Sequence, residues 1–309
     1  MTYEITRPGK YSLVLATPVM PAAGTVGFGD DYKKLVNYEK IGAIVTNPVT
    51  IDQWNPATGT RLVSLDAGVL VHTGLPNPGL NRVVKQYRKV WANLPVPVIM
   101  HLVATTVDHM ERAGRRLDDV DEISGVEIGL NDDISEDDAF ALIEAATKME
   151  KPVLVRLPFY DTYRLADVVI EAGADALVVS GAPRGTARDQ HSGRLVSGRV
   201  YGPLVKPMTL RMVGRLRRQV PDEIPIIGSG GIHSPQDARD FIEAGAVAVQ
   251  VDSATWVQPR MLERIARDLG GWIVTREKGA LTDEWHPDMG DTEAIQRRES
   301  QRGDAKDKS

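Results

Sequence analysis

The chain contains no cysteine. Disulfides, cysteine-ligated zinc or iron–sulfur centres and a cysteine nucleophile are therefore excluded within it, and any iron–sulfur cluster would have to sit on a partner subunit. Apolar runs are short. None approaches the roughly 18 residues needed to span a membrane, and the N-terminus has no apolar signal core, so no membrane association is expected and the cytoplasm is the expected location. A surplus of one charge is missing too: 37 Lys and Arg face 42 Asp and Glu, a net charge of −5. So small an imbalance gives no electrostatic reason to expect nucleic acid as a partner. There is no short repeat, which argues against a solenoid.

What is present suits a globular enzyme. Hydrophobic residues make up 42% and charged residues 26% of 309 positions, ordinary values for a chain long enough to bury one large α/β core. The most informative stretch is Pro225-Ile226-Ile227-Gly228-Ser229-Gly230-Gly231-Ile232-His233-Ser234-Pro235. An apolar strand runs into a glycine cluster, and Ser234 before Pro235 reads as a helix N-cap followed by the first helical residue. Such a turn can hold a phosphate on backbone N–H groups, or can simply need small residues. A helix to Gly245 and a buried strand over 246–251 follow, then a further turn and helix from Asp252-Ser253. Two consecutive βα units near a chain end match the usual phosphate site of an eightfold barrel.

The preceding chain supplies the other six units. Residues 1–17 read as irregular or hairpin. Strands are expected over 18–24, 42–46, 97–102, 125–130, 152–157 and 174–179, and helices over 30–40, 79–93, 107–117, 136–149, 161–172 and 207–219. Long connections fill 47–77 and 181–202, the latter rich in arginine. The alternation predicts a parallel (β/α)8 TIM barrel over residues 1–275, with the active site at the C-terminal ends of the strands. Residues 276–309 form a charged C-terminal extension. Ten of the last nineteen side chains are charged, and that end is expected to be disordered.

Polar residues at the strand ends are the candidates for chemistry. Arg156 ends an apolar strand, where its charge requires an anion, an electron-rich ring, or a salt bridge to Glu127 on the neighbouring strand. His101 is an acid or base, or a satisfied core residue. Asp132 and Asp133 are a general base or metal ligand, or part of the capping run that continues through Ser135-Glu136-Asp137-Asp138. Arg184, Arg188, Arg194, Arg199 and His191 form a lid over an anionic substrate, or a solvated loop. No resident metal is expected.

With these pieces placed, the chain resembles the dihydroorotate dehydrogenase family. The likeness spans roughly residues 13–270 and is carried by Pro18-Val19-Met20-Pro21-Ala22-Ala23-Gly24, Thr73-Gly74-Leu75-Pro76-Asn77-Pro78-Gly79 and Gly202-Pro203-Leu204-Val205-Lys206-Pro207. It continues through Ile226-Ile227-Gly228-Ser229-Gly230-Gly231-Ile232 to Val249-Gln250-Val251. The resemblance implies a flavin mononucleotide (FMN) across the barrel mouth. Its ring would pack on Ala22, Ala23 and Gly24, its phosphate would rest on Gly230, Gly231 and Ser253, and it would pass over Gly202. Thr46 and Asn47 fall beside it. Arg156 falls where the family has a lysine that stabilises reduced flavin. A soluble homodimer is expected, and the lack of a membrane-docking N-terminal helix argues against the quinone-linked branch.

The departures point away from dihydroorotate. The family's second-strand lysine becomes Asn47, and its cysteine or serine base falls at or near Asp132. The asparagines that hold the pyrimidine fall at or near Val71, Gly129, Ile134 and Ser180. Each lost hydrogen bond to a buried ligand costs about 1–3 kcal/mol. After the eighth strand the family's Gly-Thr or Gly-Ser becomes Asp252-Ser253, a carboxylate beside the phosphate position. The expected function is an FMN-dependent oxidoreductase moving a hydride between flavin and an altered small-molecule substrate, anionic if the arginine-rich loop is its lid. Two alternatives stay open at this stage: a barrel without flavin that binds a phosphorylated metabolite as a lyase or isomerase, and a non-catalytic barrel subunit.

Overall fold

The computed structural model describes residues 2–277. The disordered tail expected over 291–309, and nearly all of the extension from 276, lie outside the described residues. The chain begins as a small antiparallel hairpin of β1 (Tyr3–Glu4) and β2 (Val14–Leu15). The first barrel strand is β3 (Val19–Pro21) and the second β4 (Ile44–Val45). The helix expected over 30–40 does not form. Turns and a single 3-10 turn at Tyr38–Lys40, capped by the Asn37 side chain, occupy its place. So short a segment gains few hydrogen bonds after nucleation, and burying Val36 and Tyr38 decides its path instead.

After β4 the long connection is not a loop. It folds as the hairpin β5 (Leu62–Leu65) and β6 (Gly68–Val71), joined by the two-residue turn Asp66-Ala67, before α1 (Leu80–Trp91) begins. Regular alternation follows: β7 (Val98–Leu102), α2 (Val107–Leu117), β8 (Gly125–Gly129), α3 (Glu136–Ala146), β9 (Val153–Arg156), α4 (Thr162–Glu171) and β10 (Ala176–Val179). The arginine-rich segment is a second hairpin, β11 (Arg184–Arg188) and β12 (Leu195–Tyr201), leading into α5 (Lys206–Gln219). The last units are β13 (Ile226–Ser229) with α6 (Pro235–Glu243), and β14 (Ala248–Val251) with α7 (Ser253–Val257) and α8 (Met261–Glu277). Thr106, Ser135 and Ser234 cap α2, α3 and α6 through their hydroxyls, so the acidic run after Ser135 is the first turn of a helix.

Eight parallel strands in the order β3-β14-β13-β10-β9-β8-β7-β4 make the barrel. Its seam is bridged by the Gly42 N–H, which donates to the Val19 carbonyl at 2.8 Å. Inward positions alternate along each strand. The lower interior is apolar: Met20, Val45, Ile99, Leu154, Ala176, Val178, Ile227 and Ala248 pack with Ile5, Leu13 and Leu15 of the N-terminal hairpin, which plugs the floor. A second apolar layer lies between strands and helices. The two hairpins pair through β6 and β12 into one antiparallel sheet, β11-β12-β6-β5, outside the barrel. Among the described residues no helix is long and apolar enough to cross a membrane.

Gly42 tests the seam. An added Cβ would lie 2.1 Å from the Thr17 carbonyl oxygen, a backbone atom that cannot rotate away. Gly42→Ala is expected to lower stability by about 1–3 kcal/mol, the usual range for forced overpacking, measured as a fall in the urea midpoint with little change in slope.

Candidate active site

Above the apolar floor, the next inward positions are polar. His101 on β7, Glu127 on β8, Arg156 on β9, Ser229 on β13 and Gln250 on β14 point into the barrel one step above Ile99, Leu154, Ile227 and Ala248. The register sets His101 beside Glu127, and Ser229 beside Gln250. Glu127 has no exposure and is the hub. One carboxylate oxygen meets Arg156 Nε at 2.8 Å and His101 Nδ1 at 2.8 Å, while the other accepts from Gln250 Nε2 at 2.5 Å. Burial alone would raise its pKa. The Arg156 guanidinium, followed by His101 and Gln250, overcomes burial and holds the carboxyl well below its ordinary value.

Arg156 spends the rest of its fork on the barrel. Nη1 donates to the Ser180 carbonyl and to Ser229 Oγ, each at 3.2 Å, and Nη2 donates to the Gln250 amide oxygen. Four of its five N–H groups are thus engaged, and what it offers the cavity is mainly fixed positive charge. The salt bridge weighed from the sequence is therefore formed, and Arg156 still lines the cavity. Because a carboxylate can only accept, Glu127 assigns the proton of neutral His101 to Nδ1 and leaves the Nε2 lone pair open. That nitrogen faces the space above Gly129, where a Cβ would come within 2.7 Å of it. His101 and a side chain at 129 exclude each other.

The cavity over this layer is enclosed to about 150 Å³, and to about 820 Å³ with its open mouth. The enclosed figure is below the roughly 300–1,000 Å³ of small-molecule sites, so the cavity is a small pocket with a wide mouth. Its walls include Ala22, Ala23, His101, Gly129, Asn131, Arg156, Ser180 and Asp252, with Arg199 and Tyr201 brought in by β12. Among the described residues no cluster of His, Asp and Glu is arranged to hold a metal ion.

Several expected site residues take other places. Asp132 does not line the cavity. Its carboxylate is 6% exposed and clamped by Arg184 and by Arg199, the latter at 2.8 Å, so it anchors the outer sheet instead of standing as an unpaired base. The two arginines face each other across β11 and β12, which is why one carboxylate serves both. Thr46 Oγ1 accepts from the His101 N–H at 3.1 Å and donates to the Asn47 carbonyl, a strand-to-strand link. Asn47 Oδ1 is buried without a partner among the described residues, as an atom waiting for a ligand donor would be. Gly24 has φ +84° and an open face, with Pro48 the nearest atom to an added Cβ at 3.8 Å.

The remaining glycines answer to the chain itself. A Cβ on Gly202 would lie 2.4 Å from the Ala67 carbonyl oxygen, one on Gly230 2.8 Å from Thr209 Cγ2, and one on Gly231 2.3 Å from the Lys206 N. Ser253 opens α7 beside Asp252. Gln250 and Ser229 carried no expected role. The available signal was a polar residue at an inward position of an otherwise apolar strand, two residues above Ala248 and Ile227.

Residues 11–273 match the family model described as Dihydroorotate dehydrogenase. The chain belongs to the dihydroorotate dehydrogenase family. Curated relatives of this family include "Dihydroorotate dehydrogenase B (NAD(+)), catalytic subunit" of Pelobacter propionicus, 32% identical over 88% of this chain and 94% of the relative. The proteins of the same name from Geobacter metallireducens and Trichlorobacter lovleyi are 34% and 33% identical, over 84% and 86% of this chain and 90% and 92% of theirs. By their names these family members are dehydrogenases, oxidoreductases that act on a CH–CH group.

Glu127 supplies the test of the network. Glu127→Gln leaves Arg156 buried without its counter-charge, and a loss of about 3–5 kcal/mol is expected in urea unfolding. Folding favours the ionised form of Glu127. Its contribution is therefore complete above the ordinary value of 4.5 and drains away as pH falls toward the lower folded-state value. The acid limb of the stability curve should be flatter in Glu127→Gln than in the parent.

Proposed function

We propose that this chain is a flavin-dependent oxidoreductase of the dihydroorotate dehydrogenase type, the flavin of the family being FMN, acting on a small molecule other than dihydroorotate. The carrying observation is the inward polar layer, which fixes a guanidinium and an open imidazole nitrogen in one cavity beside two alanines. The ring end of the site suits a flavin. Ala22 and Ala23 give a small apolar face, and Arg156 brings positive charge from below. A bound flavin supplies the hydride acceptor.

The chain's own residues do the rest. His101 Nε2 takes the proton from the substrate carbon, and Glu127 holds the ring in place and stabilises the imidazolium that results. Arg156 keeps charge fixed beneath the ring position and needs no reorganisation, because Glu127, Ser229 and Gln250 hold its fork. The outer sheet, with Arg199 and Tyr201 on the cavity wall, keeps water from the floor. Asp132 acts in this reading as the clamp of that sheet.

The substrate reading rests on charge and on amides missing at the family's positions, although Asn131 stays on the wall. Dihydroorotate carries a carboxylate and ring amides. Both cavity arginines already have carboxylate partners, Glu127 for Arg156 and Asp132 for Arg199, and Asp252 adds a further carboxylate. Gly129 and Ser180 line the wall where the family resemblance has asparagines, and His101 leaves no room for a side chain at 129. This balance favours a small substrate without a carboxylate over an anionic one. Asp252 also argues against a phosphorylated metabolite as the ligand. The relatives' designation as catalytic subunits supports a partner chain that carries electrons onward, beside the expected homodimer.

The experiment is an absorption spectrum of the full chain as purified and after incubation with flavins, followed by anaerobic mixing with candidate substrates. A visible flavin band is expected, unchanged by dihydroorotate. Bleaching by dihydroorotate would overturn the substrate reading, and failure to take up any flavin would overturn the oxidoreductase reading. His101→Gln is expected to slow flavin reduction by the true substrate about 10²–10⁴-fold, the usual contribution of a positioned base, while Asp132→Asn leaves that step within a small factor and loosens the sheet.

A further inference from the structure

The last barrel strand runs into a buried carboxylate. Asp252 is 5% exposed and lines the cavity. Both donors of Ser253 end on its Oδ1, the backbone N–H at 2.5 Å and the hydroxyl at 3.1 Å. With the Ser253 hydroxyl donating to Asp252, the 3.2 Å contact between Ser253 Oγ and His233 Nε2 has Nε2 as its donor. Neutral His233 then carries a bare lone pair at Nδ1, an atom that is buried without a partner among the described residues. Lys206, whose backbone abuts Gly231, has its ammonium held by Asp237 at 2.6 Å and Asp240 at 2.5 Å.

The side chains around Asp252 are therefore mostly acceptors, and the donors left at this end are the backbone N–H groups of the Gly230-Gly231 turn. The family resemblance gives the same end, Gly230, Gly231 and Ser253, to the terminal phosphate of FMN. Phosphate oxygens are charged acceptors. They would meet a like charge at Asp252 and would find both Ser253 donors taken and the Lys206 charge already shared by two carboxylates. A hydroxyl is the complementary group, because it can donate to Asp252.

We propose that Asp252 is an internal anion standing at the phosphate position, so that the site takes a flavin whose side chain ends in an uncharged hydroxyl, riboflavin, in preference to FMN. The inference rests on the flavin reading above. Burial outweighs the groups that favour the charge and leaves the Asp252 carboxyl above its ordinary value. Burial pushes the carboxyl up, and the Ser253 N–H, His233, the Ser253 hydroxyl and Arg156 pull it back. A dianion placed alongside would add to what already opposes its charge.

The test titrates the full chain, freed of any chromophore it carries, with riboflavin and with FMN, following the quenching of flavin fluorescence. Riboflavin is expected to bind at least tenfold more tightly than FMN. Asp252→Gly should reverse that order, and Asp252→Asn, which keeps the size and removes the charge, should close the gap. FMN binding to the parent chain as tightly as riboflavin, or more tightly, would overturn the inference and leave the flavin reading standing. If neither flavin binds the parent or either variant, the flavin reading itself falls and takes this inference with it.

Discussion

The buried ion pair between Glu127 and Arg156 is the constraint on which the site depends. A carboxylate with no exposure is tolerated only because a guanidinium, an imidazole and an amide share its two oxygens. That requirement reaches across four barrel strands at once. It fixes the tautomer of His101, the direction of the Arg156 fork and the rotamer of Gln250, and so turns four flexible side chains into one rigid unit. The apolar floor below it matters for the same reason. With Ile5, Leu13 and Leu15 closing the barrel from beneath, no water reaches the pair from that side to loosen it.

Most of the barrel was legible in the sequence. Apolar runs of four to six residues bounded by glycine, proline or aspartate located all eight barrel strands, and Ser234-Pro235 located a helix start to the residue. Where the reading failed, local composition and tertiary pairing pulled in different directions. Residues 47–77 hold several prolines and glycines and 181–202 several glycines and arginines, which reads as loop. Yet they hold two hairpins that become stable only by pairing with each other, 129 residues apart in the contact of Thr60 with Asp189. The stretch 30–40 carries helix-compatible spacing but is too short to outweigh the burial of Val36 and Tyr38.

The site was legible to the same depth. Arg156 and its alternative partner Glu127 could be named from strand position alone, and both readings of Arg156 hold, because the guanidinium is paired and still faces the cavity. Asp132 could not be placed. Its neighbours in sequence suggest a cap or a base, and its partners, Arg184 and Arg199, come from a sheet that the sequence did not reveal. Gln250 and Ser229 were visible as polar interruptions of apolar strands. Their part became clear only once the period of two placed them in the same layer as Arg156.

The outer sheet springs from β4 and β10, which stand four places apart in a ring of eight. It is therefore a strut across the diameter of the barrel, with each foot on an opposite wall and the joint where Val71, Leu70 and Val69 meet Arg199, Val200 and Tyr201. A strut resists widening by tension along its whole length. The mouth cannot open on one side alone: either the joint parts along its backbone hydrogen bonds, or both feet tilt together. Traffic into the barrel is in this way coupled to the shape of the ring beneath it, and a change in one foot is felt at the other without any signal passing through the core.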